Sequence, residues 1–106
     1  MGRLIERSKR VPLRLQVVMS GDDVSGRRFT ETTSSLNLSG GGICLESGRR
    51  LGVGSRLVLR IALPPALRRH FGGHDTYSTR AVVCRVEPFT AEGRSRVGAR
   101  FLSGVL

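Results

Sequence analysis

Apolar residues in this chain recur at every second position, in short runs closed by glycine, proline or small polar residues. In the run 13–19, Leu13, Leu15, Val17 and Met19 share one face, and Arg14 and Gln16 lie on the other. This is the period of a half-buried strand. Leu57, Leu59 and Ile61 repeat it, with Arg56 and Arg60 facing out. Residues 29–36, rich in Thr and Ser, read as an exposed strand, and residues 43–45, 78–87 and 97–102 supply three more. Only the stretch 65–71 admits one or two helical turns. It opens on Pro65, which a helix start tolerates, and Gly72-Gly73 stops it. Frequent turns and almost no helical period predict an all-β domain, a small antiparallel barrel or sandwich. Closing the sheet protects its edges.

A chain of 106 residues is one domain with a modest core. It has no Trp, four Phe and one Tyr, so Val, Leu and Ile must fill that core. No run reaches the length of a membrane span, and the N-terminus lacks the apolar stretch of a secretion signal. The expectation is a cytoplasmic protein without membrane insertion. Cys44 and Cys84 stand apart, each in an apolar run and neither in a CxxC pair, and both read as buried free thiols. His70 and His74 form an HxxxH in a glycine-rich loop with no third ligand nearby, so no metal and no cofactor are expected. Neither cysteine has a base near it in sequence, and the glycines at 40–42 lack the Lys-Ser/Thr of a phosphate-binding loop. Enzymatic activity is not expected.

The formal charge is +10, from seventeen Arg and one Lys against eight acidic residues. That balance attracts phosphates, nucleic acid or an acidic partner. Arg, unlike Lys, matches planar acceptors bidentately.

Two motifs refine this. Arg10-Val11-Pro12-Leu13-Arg14 leads into the first alternating run. The RxxxR spacing is common here: Arg3/Arg7, Arg10/Arg14, Arg56/Arg60 and Arg96/Arg100 all show it. Asn37-Leu38-Ser39-Gly40-Gly41-Gly42 is rarer, because Asn37 is the only Asn in the chain, and composition alone predicts roughly 0.05 such matches. Asn37 offers a donor and an acceptor, Ser39 a rotatable hydroxyl, and Gly42 a close approach that a side chain would block. Residues 1–11, charged and without period, read as a flexible arm, and residues 12–106 as the barrel.

This order of motifs, followed by Ile43-Cys44-Leu45 and ending near Val97-Gly98-Ala99-Arg100-Phe101, resembles the PilZ domain family over nearly the whole chain. The resemblance implies a six-stranded β-barrel and a bacterial second-messenger receptor for cyclic di-GMP. It implies that Arg10 and Arg14 grip guanine and phosphate, with Asn37, Ser39, Gly41 and Gly42 as the barrel half of the site and Arg7 a further ligand contact. Lys9 is similar to the basic residue that accommodates two stacked ligand molecules rather than one. Asn37 stands where Asp is commoner, and the chain ends soon after Phe101, implying little or no C-terminal helix. The expected behaviour is an adaptor whose arm, residues 1–11, closes over the ligand and passes a signal to an unidentified effector protein. The alternatives are a basic β-barrel binding single-stranded nucleic acid, against which the shortage of aromatic residues weighs, and a PilZ-like fold used only for protein contacts.

Overall fold

The computed structural model describes residues 12–102. The proposed arm, with Arg7, Lys9 and Arg10, and the expectation about a C-terminal helix lie outside the described residues.

Six antiparallel strands form a closed barrel: β1 (Gln16–Asp22), β2 (Arg28–Leu38), β3 (Gly42–Ser47), β4 (Arg56–Ala62), β5 (Thr76–Val86) and β6 (Ser95–Phe101). The order around the barrel is β1-β2-β3-β6-β5-β4, and β1 pairs with β4 to close it. Alternation decides what points inward. Val17 and Met19, Leu57, Leu59 and Ile61, Ala81 and Val83, and Val97 and Ala99 are all buried. Each large apolar side chain so enclosed contributes about 1.5–3 kcal/mol relative to exposure.

A short helix, α1 (Pro65–Arg68), and the 3-10 turn after it (Arg69–Phe71) lie between β4 and β5. Their start and stop match the expected stretch, and Gly72 closes the turn in the left-handed region at φ 73°. Leu63 and Leu67 are buried in the core cluster. Phe71, Tyr77 and Phe101 pack in succession, the first pair tilted and the second edge to face, with ring centroids 4.7 and 5.6 Å apart.

Strand β2 departs from the exposed strand expected there. Phe29, Thr33 and Ser35 are buried. Closure of the barrel covers the inner face of every strand, so a Thr/Ser-rich strand must bury hydroxyls and pair them. Thr33 donates to the Glu46 carbonyl at 2.6 Å, and Ser35 donates to the Leu13 carbonyl.

The β1–β2 turn is set by Asp23, whose Oδ1 accepts from the Ser25 hydroxyl and from the amides of Ser25 and Arg27. The Ser25 hydroxyl, then these backbone bonds, hold its carboxyl below the ordinary value. Glu31 serves a similar role for β2 and β3. It accepts from the Ser47 hydroxyl at 2.8 Å and the Gly48 amide at 2.9 Å, with the Arg94 guanidinium 3.4 Å away.

One cysteine differs from expectation. Cys44 is buried, but Cys84 is exposed. The β5–β6 register slips between Val83 and Arg85. This bulge ends the inward parity of Ala81 and Val83, leaving Cys84 and Arg85 both outside.

Candidate functional site

Asn37 owes its position to a second bulge. Strand β2 pairs Ser35 with Leu45 and then Asn37 with Cys44, so Leu36 is the extra residue. Before the bulge, odd-numbered residues point inward, including Thr33 and Ser35; after it, Leu38 does, at 0 % exposure. The parity change turns the Asn37 amide to the outer wall. The sequence carries a trace of this switch, because Leu38 falls out of phase with Phe29.

Arg14 is exposed and lies just before β1. Its neighbours on either side are fixed by one serine. Ser35 Oγ accepts from the Leu15 amide at 2.8 Å and donates to the Leu13 carbonyl, while the Ser35 amide donates to the Leu15 carbonyl at 2.9 Å. Leu15 is buried, and Leu13 packs against the core. Arg14 therefore projects the other way. The register pairs Gln16 with Ser34, so two further steps set Arg14 opposite Leu36, beside Asn37.

Ser39 and Gly42 close the β2–β3 hairpin over a two-residue loop, Gly40-Gly41. The Ser39 amide donates to the Gly42 carbonyl at 2.9 Å, and Ser39 Oγ accepts from the amides of Gly41 and Gly42, both at 3.2 Å. The Ser39 hydroxyl is buried in doing so. Gly42 is required by the barrel itself, since a Cβ there would lie 2.6 Å from the Ala99 carbonyl oxygen of β6. The Gly41 carbonyl also accepts from the Phe101 amide at 2.9 Å. By register, Arg14 and Asn37 thus lie on adjoining strands of the outer wall, and Ser39, Gly41 and Gly42 form the turn that follows Asn37. Lys9, Arg10 and Arg7 lie outside the described residues.

Two further arginines stand on this wall. Register aligns Asn37, Cys44, Gly98 and Arg85 in one row across four strands. Arg85 lies over Gly98, its terminal nitrogen 3.6 Å from where a Cβ would sit. Arg100, exposed, pairs with Gly42. Sequence reasoning did not single out Arg85, because only strand pairing brings residues this distant in the chain into one row. The surface so formed has glycines at 42 and 98 with exposed arginines over and beside them, and Arg85 also pairs with Glu87 at 3.8 Å. It carries planar donor forks beside the Asn37 amide, groups whose chemistry suits a planar, acceptor-rich anion.

Among the described residues, no group of three or more His, Cys, Asp or Glu side chains is placed to hold a metal ion. No described helix is long and apolar enough to cross a membrane.

The closed six-stranded barrel with this hairpin and arginine entry defines a class. The chain belongs to the PilZ domain family, whose model matches residues 5–105. Domains of this family are generally cyclic di-GMP receptors rather than enzymes. Three solved structures share the fold. The Bacillus subtilis inhibitor of motility, MotI/DgrA, is 22% identical with a TM-score of 0.69, covering 99% of this chain and 44% of that one. The PilZ domain of CeSA from a cellulose-synthesizing bacterium is 18% identical with a TM-score of 0.57, covering 91% and 82%. MrkH of K. pneumonia in its apo state is 16% identical with a TM-score of 0.59, covering 100% and 47%. The chain spans less than half the length of the motility inhibitor. None of the curated protein sequences compared with it matches.

Proposed function

We propose that this chain is a cyclic di-GMP receptor that binds its ligand on the outer wall of the barrel at the β2–β3 hairpin. The observation that carries this reading is the placement of Arg14 beside Asn37, by the Ser35 clamp on one side and the β2 bulge on the other. The Arg14 guanidinium matches the O6 and N7 acceptors of a guanine edge or a phosphate, and Arg10 supplies the second fork. Asn37 reads a base edge, and Gly41 and Gly42 let the ligand lie against backbone. Ser39 holds that backbone in place. Lys9 adds charge that favours a stack of two ligand molecules, with Arg7 an outer contact. Arg85 and Arg100 extend the cationic margin. Residues 1–11 fold over the ligand, exchanging chain entropy for charge-assisted hydrogen bonds. In this reading the protein acts in the cytoplasm and hands the signal to an effector protein.

Calorimetric titration with cyclic di-GMP tests the assignment. Arg14→Ala removes a charged hydrogen-bonding partner, a loss of about 2 kcal/mol or roughly thirtyfold in affinity. Wild-type affinity in both Arg14→Ala and Arg10→Ala would overturn it.

A further inference from the structure

On the barrel wall formed by β1, β4 and β5, Val58 is 47% exposed. It sits between Arg56 and Arg60 on β4 and directly opposite Arg80 on β5 and Ser20 on β1. Arg80 is therefore the diagonal neighbour of both β4 arginines, at about 7–8 Å between backbones. All three guanidiniums are exposed, and among the described residues none makes an ion pair. The acidic residues at the margin are already engaged: Asp22 pairs with Arg28 at 3.5 Å, and Asp23 holds its own turn. A shallow groove of about 440 Å³ runs along this margin, lined by Arg56, Val58 and Arg80 with Ser20 and Ser55, and by Asp22, Asp23 and Arg28 at the β1–β2 turn. Three like charges lie within about a Debye length of their neighbours without an ion-pair partner, so they repel, and an anionic partner would relieve that repulsion.

We propose that this face docks an extended acidic segment of a partner protein, with an acidic–x–apolar–x–acidic pattern on one side. The geometry comes from β4 itself. Arg56 and Arg60 are about 13–14 Å apart, with Val58 midway, the spacing of positions i, i+2 and i+4 on an extended chain. A segment laid along β4 places a carboxylate at each β4 arginine, an apolar side chain on Val58, and leaves Arg80 to close the ring from the side. An apolar centre with a charged rim is the anatomy of protein interfaces, where Arg is enriched. Nucleic acid fits less well, because no aromatic side chain faces outward here to stack a base. The barrel is closed at β1–β4, so no free edge invites strand addition, and recognition must be through side chains. This face is distinct from the Arg14–Asn37 wall, and the inference stands without the ligand reading.

The test is fluorescence anisotropy of the full chain with a short labelled peptide alternating glutamate and isoleucine in that pattern. The control peptide carries serine at the central apolar position. The expected result is at least tenfold tighter binding of the isoleucine peptide, lost tenfold or more in Arg80→Glu and in Val58→Ser. Both positions are exposed, and unchanged melting of the variants shows that the barrel is intact. Cyclic di-GMP affinity, measured alongside, is the same in Arg80→Glu as in the parent. Equal binding of the two peptides, unchanged binding in both variants, or no binding by the parent would overturn the proposal. So would tighter binding of a thymidine oligonucleotide or an anionic phosphatidylglycerol vesicle of matched charge.

Discussion

Gly42 belongs to the motif that marks the site, yet the structure gives it a role independent of any ligand, and Gly42→Ala separates the two. The new Cβ would stand 2.6 Å from the Ala99 carbonyl oxygen. Carbon–oxygen contacts settle at about 3.3 Å, so β3 and β6 must part by about 0.7 Å. Nothing flexible can yield, because backbone stands on both sides. The bond from the Phe101 amide to the Gly41 carbonyl, now 2.9 Å, would stretch to about 3.6 Å, beyond hydrogen-bond range. Overpacking of this kind costs about 1–3 kcal/mol, and a lost hydrogen bond about 1 more, giving about 3 kcal/mol in all. For a domain of this size, that lowers Tm by about 12–24 °C. Thermal melting by circular dichroism, with a urea titration to fix the free energy, reads the effect without ligand. A Tm drop smaller than about 4 °C, equivalent to under 1 kcal/mol, would refute the reasoning. Gly42 would then matter only for what approaches from outside.

Two other substitution or labelling experiments probe the supports of the site. Ser35→Ala leaves the buried Leu15 amide without its acceptor, so stability falls by about 1–3 kcal/mol; hydrogen exchange at Leu15 should accelerate, and unchanged exchange there would remove Ser35 as the clamp on the Arg14 segment. A maleimide added to the native protein should modify Cys84 quickly and Cys44 only after unfolding, as mass spectrometry of digests will show; equal rates would contradict the outward placement of Cys84.

The alternation of Val17 and Met19, and of Leu57, Leu59 and Ile61, fixes the inner face of β1 and β4, because burial acts on period-two patterns residue by residue. The turn glycines and Pro65 likewise locate the loops and the short helix, since backbone preference is local. The rare Asn37 with Ser39 and Gly42 marks the hairpin that carries the candidate site.

The sequence by itself therefore determined that the protein is a small basic β-domain, where its strands run, and which hairpin carries the candidate motif. Only the tertiary structure decided the rest. Whether Thr33 and Ser35 are buried depends on barrel closure by β1 and β4, a pairing between strands distant in sequence. Whether Asn37 and Arg85 point outward depends on two bulges, each defined by the register of a neighbouring strand. That Gly42 also seats β3 against β6 shows only once β6 is packed beside it. Arg56, Arg60 and Arg80 become a ring around Val58 only when β5 is set beside β4. In each case the deciding term is a contact between strands, and a one-dimensional pattern holds no record of which strands will meet.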